Sequence, residues 1–166
     1  MKNNMHDRQQ AIAKARLLAL DGSFLAMLKR RVAYKTSSQD DPTSPAMDAY
    51  LRDEMWPYLQ AMGFVCSIHP NPIEGAGPFL LAERLEADAR LTVLSYGHAD
   101  VIRGQDDRWH EGLSPWELRH VAERVYGRGT ADNKGQHSIN LEALRSVLDS
   151  RGKLGFNIKV ILETGE

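Results

Sequence analysis

The side chains best suited to chemistry stand at three places. The apolar run Leu91-Thr92-Val93-Leu94-Ser95-Tyr96 reads as a strand and passes directly into Gly97-His98-Ala99-Asp100. His98 and Asp100 therefore fall at the carboxyl end of a strand, where open α/β sheets hold their ligands. An imidazole and a carboxylate two residues apart suit a metal ligand and the partner that fixes its tautomer, since a ligating histidine donates its other ring N–H to a carboxylate or carbonyl. The competing reading is a loop histidine paired with a local carboxylate. The second place is Tyr126-Gly127-Arg128-Gly129-Thr130-Ala131-Asp132-Asn133-Lys134-Gly135, whose glycines permit tight turns just ahead of a helix expected to start near Asp132. Asp132 either caps that helix, as aspartate does well, or is a carboxylate bridging two metals. Nucleotide binding is discounted: the order of residues is neither the P-loop nor the dinucleotide fingerprint, and an acidic residue at the helix start repels an anion. The third place is Ile161-Leu162-Glu163-Thr164-Gly165-Glu166, where another apolar strand ends in acidic residues. Taken singly, such a pair is an ordinary solvated loop; three clusters at one sheet edge point to a site.

In order and spacing, these three motifs resemble those of the dinuclear zinc hydrolase family of aminoacylase, carnosine dipeptidase and glutamate carboxypeptidase, which includes succinyl-diaminopimelate desuccinylase. The similarity covers most of the chain from about residue 24 and takes in the tryptophan-rich insert around Trp109 and Trp116. The resemblance implies that His98 binds a zinc ion, that Asp100 orients His98, and that Asp132 bridges two metals. It further implies a cis peptide between Asp132 and Asn133, Glu166 as general base, and Glu163 as support. It implies an α/β fold of the zinc-exopeptidase-like (phosphorylase/hydrolase-like) kind, a three-layer mixed sheet flanked by helices, here truncated. Residues 1–166 would be the N-terminal part of the catalytic domain. The zinc ligand that follows the base, a further acidic ligand, a distal histidine and the lid or dimerisation domain have no counterpart in the sequence.

The implied cofactor is Zn2+, two per complete site, and cobalt or manganese would suit the same donors. The implied reaction is hydrolysis of a peptide or amide bond in a small peptide or N-acyl amino acid, of dipeptidase, carboxypeptidase or deacylase type. The Glu-Thr-Gly-Glu ending and the tryptophan-rich insert place it nearest the dipeptidase branch. Zinc sites usually draw three or four protein ligands per ion, so the chain by itself is expected to be inactive. The competing expectation is a non-catalytic fragment or association module. A sheet left with an exposed edge and apolar face would favour a homo-oligomer.

The elements that must position these residues follow from periodicity. Ile12, Ala15, Leu18 and Ala19, then Leu25, Leu28 and Val32, predict two N-terminal helices, over Asp7 to Leu20 and on to Val32. Thr36 to Ala46 reads as a surface loop, and Met47 to Met62 as a helix kinked at Pro57. Gly63 to His69, Phe79 to Leu85 and Phe156 to Leu162 are further strands. Ile139, Leu141, Leu144, Val147 and Leu148 mark a helix from Asp132 to Ser150, ended at Arg151-Gly152-Lys153. Strand, loop, helix and strand in that order suggest an α/β layered fold with a parallel element. His137 reads as a partly buried structural histidine, and Arg128 and Lys134 as anchors of the motif loop or covers for apolar surface. His69, His110 and His120 have no motif around them.

Composition narrows the partners. The 166 residues are 42% hydrophobic and 26% charged, enough for one soluble domain with a moderate core. The 21 basic and 22 acidic residues nearly cancel and form no long block, which gives no reason to expect nucleic acid or a membrane surface. Cys66 stands alone in an apolar stretch, so it excludes a disulfide framework and reads as a buried small hydrophobe. Charges throughout the first thirty residues leave no signal-peptide core, and a cytoplasmic location is expected.

Overall fold

The computed structural model describes residues 2–165. Two helices, α1 (Lys2–Leu20) and α2 (Ser23–Ala33), open the chain, joined at Gly22. A third helical stretch comprises α3 (Pro45–Ala49), a wide π-helical turn (Tyr50–Met55) and α4 (Trp56–Ala61). The strands are β1 (Val65–His69), β2 (Phe79–Arg84), β3 (Thr92–His98), β4 (Arg119–Val121), β5 (Arg124–Tyr126) and β6 (Asn157–Glu163), and α5 spans Lys134–Arg151 between β5 and β6.

The main sheet runs β1-β2-β6-β3, with β1 and β2 antiparallel, β2 and β6 antiparallel, and β3 and β6 parallel. The parallel pair brings two sequence-distant carboxyl ends level, His98 opposite Glu163. Strands β4 and β5 form a separate hairpin within the tryptophan-rich insert.

The loop from Thr36 and the helix after it differ from the sequence reading. The loop from Thr36 is shorter than expected: Pro45 starts α3, where its missing N–H costs nothing, and the Ser44 hydroxyl accepts from the Ala46 N–H at 3.4 Å. The expected kink at Pro57 takes the form of the π-helical turn directly before α4, in whose first turn the proline sits; proline cannot donate to the turn behind it, and a widened turn accommodates that loss. The end of α5 is as expected. Gly152, with φ 71, donates its N–H to the Leu148 carbonyl at 2.7 Å and closes the helix in the left-handed conformation.

The core lies between one face of the sheet and the helices. Leu80, Ala82, Ile158, Val160 and Leu162, alternating along β2 and β6, pack against Tyr50, Leu51, Met55, Leu59 and Leu141. Each fully buried aliphatic side chain there contributes about 1.5–3 kcal/mol by leaving water. Cys66 is half-buried at the margin of this cluster. The opposite face is open among the described residues, with Val65 76%, Leu94 64% and Tyr96 57% exposed. A mixed sheet backed by helices is thus the architecture, and the described residues fill two of its three expected layers.

Candidate metal site

The site grows out of the β3–β6 edge. His98 ends β3, Glu163 ends β6 beside it, and the Ala99 N–H donates to the Glu163 carbonyl at 2.7 Å, so the parallel ladder fixes where the chain leaves the sheet. His98 is 4% and Asp100 2% exposed. The His98 Nδ1 lies 3.1 Å from the Asp100 carbonyl and 3.3 Å from its Oδ1. Both partners can only accept, so Nδ1 carries hydrogen, and Nε2 faces the other way, toward Asp132. The Asp132 Oδ1 is 3.0 Å from Nε2, on a side chain 73% exposed. The imidazole thus comes from the sheet and the carboxylate from the loop ahead of α5.

That loop does not use Asp132 as a cap. Asn133 is the residue before α5 and makes no side-chain capping bond, and the Asp132–Asn133 peptide is cis. Asn133 faces the sheet instead: its Oδ1 accepts from the His98 backbone N–H at 3.2 Å and lies 3.1 Å from the His137 Nδ1, while its Nδ2 donates to the Gln136 Oε1 at 2.7 Å. Such close approach needs glycine at 97, where a Cβ would sit 3.0 Å from the Asn133 Oδ1, 3.1 Å from the Leu162 Cδ2 and 3.2 Å from the His137 Cβ.

Behind this layer lies a buried polar group. The His137 Nε2 is 2.7 Å from the Tyr50 hydroxyl, and Tyr50 is fully buried. Burial raises the Tyr50 hydroxyl well above its ordinary range, so it stays protonated and donates. Burial, with the Arg31 and Lys134 cations nearby, holds the His137 imidazole well below its usual range and therefore neutral. Lys134 is pushed down to about 7 by burial, an effect partly offset by Asp100. Its Nζ donates to the Tyr34 carbonyl at 2.7 Å and stands 4.8 Å from the Tyr50 ring centre, so it anchors the loop from inside. Arg128 does so from outside: its N–H donates to the Pro115 carbonyl at 2.7 Å and its guanidinium lies 5.8 Å from the Trp109 ring centre, tying the insert to the motif.

A pH dependence follows. His137 stays neutral in the fold but charges in the unfolded chain below about pH 6.5, so the unfolded state binds more protons there and stability falls as the pH drops, by up to about 1.4 kcal/mol per unit. Urea unfolding between pH 7.5 and 5.5 is expected to show a steeper acid-side loss in the native sequence than in His137→Asn.

Of the residues singled out from sequence, His98, Asp100 and Asp132 come together. Glu166 lies outside the described residues. The Glu163 Oε1 accepts from the Tyr96 hydroxyl at 2.5 Å. The Asn133 contacts and the Tyr50–His137 pair were not legible, although Asn133 and His137 stand four apart at the start of one helix, a spacing that places them on one face. Among the described residues no group of three or more His, Cys, Asp or Glu side chains gathers as a metal cage. The donor set nevertheless suits zinc, since an imidazole whose Nδ1–H is held by Asp100 lies within 3.0 Å of a carboxylate.

A model of peptidase family M20/M25/M40 matches residues 94–166, the stretch that contains all three motifs. The chain is 29% identical over 159 residues to the Cys-Gly metallodipeptidase of Candida albicans, covering 86% of this chain and 31% of that protein. It is 28% identical over 125 residues to the acetylornithine deacetylase of Proteus mirabilis, covering 75% of this chain and 31% of the relative. The crystal structure of human carnosine dipeptidase 1 superimposes with a TM-score of 0.74 at 29% identity, over 94% of this chain and 34% of that one. The chain therefore spans about a third of the length of these relatives. The model of peptidase family M20/M25/M40 thus matches the motif-bearing part of the chain, and metallodipeptidase and deacetylase relatives are similar to it over most of its length.

Proposed function

We propose that this chain supplies part of a dinuclear zinc site for hydrolysis of a peptide or amide bond in a small substrate, a dipeptide or an N-acyl amino acid. The observation that carries the reading is the pairing of the His98 Nε2 and the Asp132 Oδ1 at 3.0 Å, with the far ring nitrogen of His98 backed by Asp100. His98 would hold one ion, Asp132 would bridge both, and cobalt or manganese would fit the same donors. When bound, zinc supplies Lewis-acid polarisation of a carbonyl and lowers the pKa of water toward neutrality. Asp100 holds the His98 Nδ1–H, so that Nε2 is the ring nitrogen that would face the metal. Glu166 is the general base, accepting a proton from the attacking water and returning it to the leaving amine. The names of the dipeptidase and deacetylase relatives support a small amide as substrate, and no helix among the described residues is long and apolar enough to cross a membrane. A cytoplasmic location and a homo-oligomer formed over the open sheet face belong to the same reading, as does assignment of residues 1–166 to the N-terminal part of a catalytic domain.

A second reading, a non-catalytic association module, is favoured by the exposed Val65, Leu94 and Tyr96. Zinc content by mass spectrometry, on this chain and on the complete product of its gene, separates the two. Two zinc ions per complete product, lost in His98→Ala and Asp132→Ala, are expected, together with dipeptide hydrolysis that Glu166→Gln reduces at least about 100-fold without releasing zinc. Metal-free protein, or full turnover in Glu166→Gln, sinks the hydrolase mechanism.

A further inference from the structure

We propose that His137 is a positioning residue for the metal-facing pair: its Nδ1–H, donated to the Asn133 Oδ1, locks the loop that holds Asp132 against the strand end that holds His98. The inference rests on the zinc reading above and deepens it by naming the group that sets the pair's geometry from behind.

Each polar atom in the chain of contacts has one assignment. A backbone N–H only donates, so the Asn133 atom facing the His98 N–H at 3.2 Å is its oxygen, and the amide nitrogen turns to the Gln136 Oε1 at 2.7 Å. The same oxygen faces the His137 Nδ1 at 3.1 Å, so that nitrogen carries hydrogen. The imidazole is neutral in its buried setting, which leaves Nε2 bare as the acceptor of the Tyr50 hydroxyl at 2.7 Å. The result is a directed sequence, Tyr50 O–H to His137 and His137 N–H to Asn133, whose last oxygen also receives the His98 N–H.

The position of this oxygen gives the sequence its effect. Asn133 is bonded to Asp132, and the N–H it accepts belongs to His98, so both candidate zinc donors are tied to one atom. His137 is 4% exposed, and its Cβ is among the atoms that would crowd a side chain at Gly97. The imidazole therefore cannot swing away while the sheet and α5 stay packed. Tyr50, in turn, is fixed by the rings of Tyr34 at 5.3 Å and of His137 itself. Groups that orient first ligands from behind typically change metal affinity 10–100-fold when removed.

Two substitutions separate a positioning role from mere filling of space. Asparagine at 137 can place an amide N–H near the position of Nδ1, whereas glutamine can place its amide only near that of Nε2; asparagine is the smaller of the two, so a loss due to packing alone would be greater in His137→Asn. The readouts on the metal-free chain are the His137 tautomer, by nitrogen-15 NMR of histidine-labelled protein, and hydrogen exchange of the His98 amide. Expected are the Nδ1–H tautomer, and His98 exchange about tenfold faster in His137→Gln than in His137→Asn, with Val160 on β6 unchanged in both. Zinc affinity of the complete gene product, read by competition with a chelator, is expected to fall about tenfold in His137→Gln and to be largely kept in His137→Asn. Tyr50→Phe, a smaller perturbation, is expected to remove the fixed tautomer and to speed His98 exchange as well. An Nε2–H tautomer in the native chain, or equal His98 exchange in the two His137 variants, overturns the positioning role. Failure of the complete gene product to bind zinc with the exchange order intact overturns instead the metal reading on which the role rests.

Discussion

Replacing Gly135 by alanine is expected to destabilise the chain by about 3 kcal/mol, although alanine is the better helix former by about 1 kcal/mol. Gly135 lies in the first turn of α5, and its φ is not in the left-handed region, so the backbone itself would welcome a side chain. The obstacle is local and rigid. A Cβ at 135 would run into the carbonyl carbon and oxygen of Thr130, which is main chain and cannot rotate aside as a side chain would. The close approach arises because the Gly135 N–H reaches back to the Gly129 carbonyl at 3.0 Å, and Thr130 is held in turn by its own N–H and hydroxyl on the Gly127 carbonyl. Relief requires the loop from Gly127 to Asn133 to lift off α5, and Asp132 rides on that loop. The variant should therefore lose zinc affinity together with stability. Alanine at Gly152 serves as the control: its Cβ meets nothing within 4 Å, and only the strain of φ 71 remains, about 1 kcal/mol. Urea unfolding of the two variants decides the matter; equal, small losses would mean that the Gly129–Gly135 turn yields easily.

The sequence made the site's outline visible where local pattern and tertiary position agree. An apolar run ending in His-x-Asp reads as a strand end, which is where β3 places it, and alternation in Ile158, Val160 and Leu162 marks the buried face of the neighbouring strand. The boundary of α5 shifted by two residues because Asp132 and Asn133 look like helix-start residues yet turn toward the sheet. Asn133 and Tyr50 were hidden for a different reason: their partners are set by packing. Tyr50 sits on a helical turn 87 residues from His137, and no periodicity links the two. The short β4–β5 hairpin was missed since its three-residue strands, largely exposed, carry no alternation long enough to read.

Arg31 shows the same limit most sharply, because along α2 it is one of three consecutive basic residues and nothing in the local pattern sets it apart. In the fold it is fully buried and joins three elements. Its Nε donates to the Glu54 Oε1 at 3.1 Å, its Nη1 to the Ser138 hydroxyl at 2.6 Å, and its guanidinium lies 4.5 Å from the Tyr58 ring centre. Ser138 passes the connection on by donating to the Lys134 carbonyl at 2.5 Å, so the network reaches the start of the motif helix. A guanidinium without water must keep its counter-ion, and losing that partner costs about 3–5 kcal/mol. Glu54→Leu is therefore expected to be severely destabilising. Arg31→Met should cost less, for the Glu54 side chain is 11% exposed and retains Arg30 at 3.6 Å. The double variant Arg31→Met with Glu54→Leu should recover most of the loss, since it removes the stranded charge and fills the space with apolar atoms. Unfolding free energies of the three variants test this ordering. If Arg31→Met proves as costly as Glu54→Leu and the double variant is simply their sum, the pair is held for its packing and not as a buried charge that needs its partner.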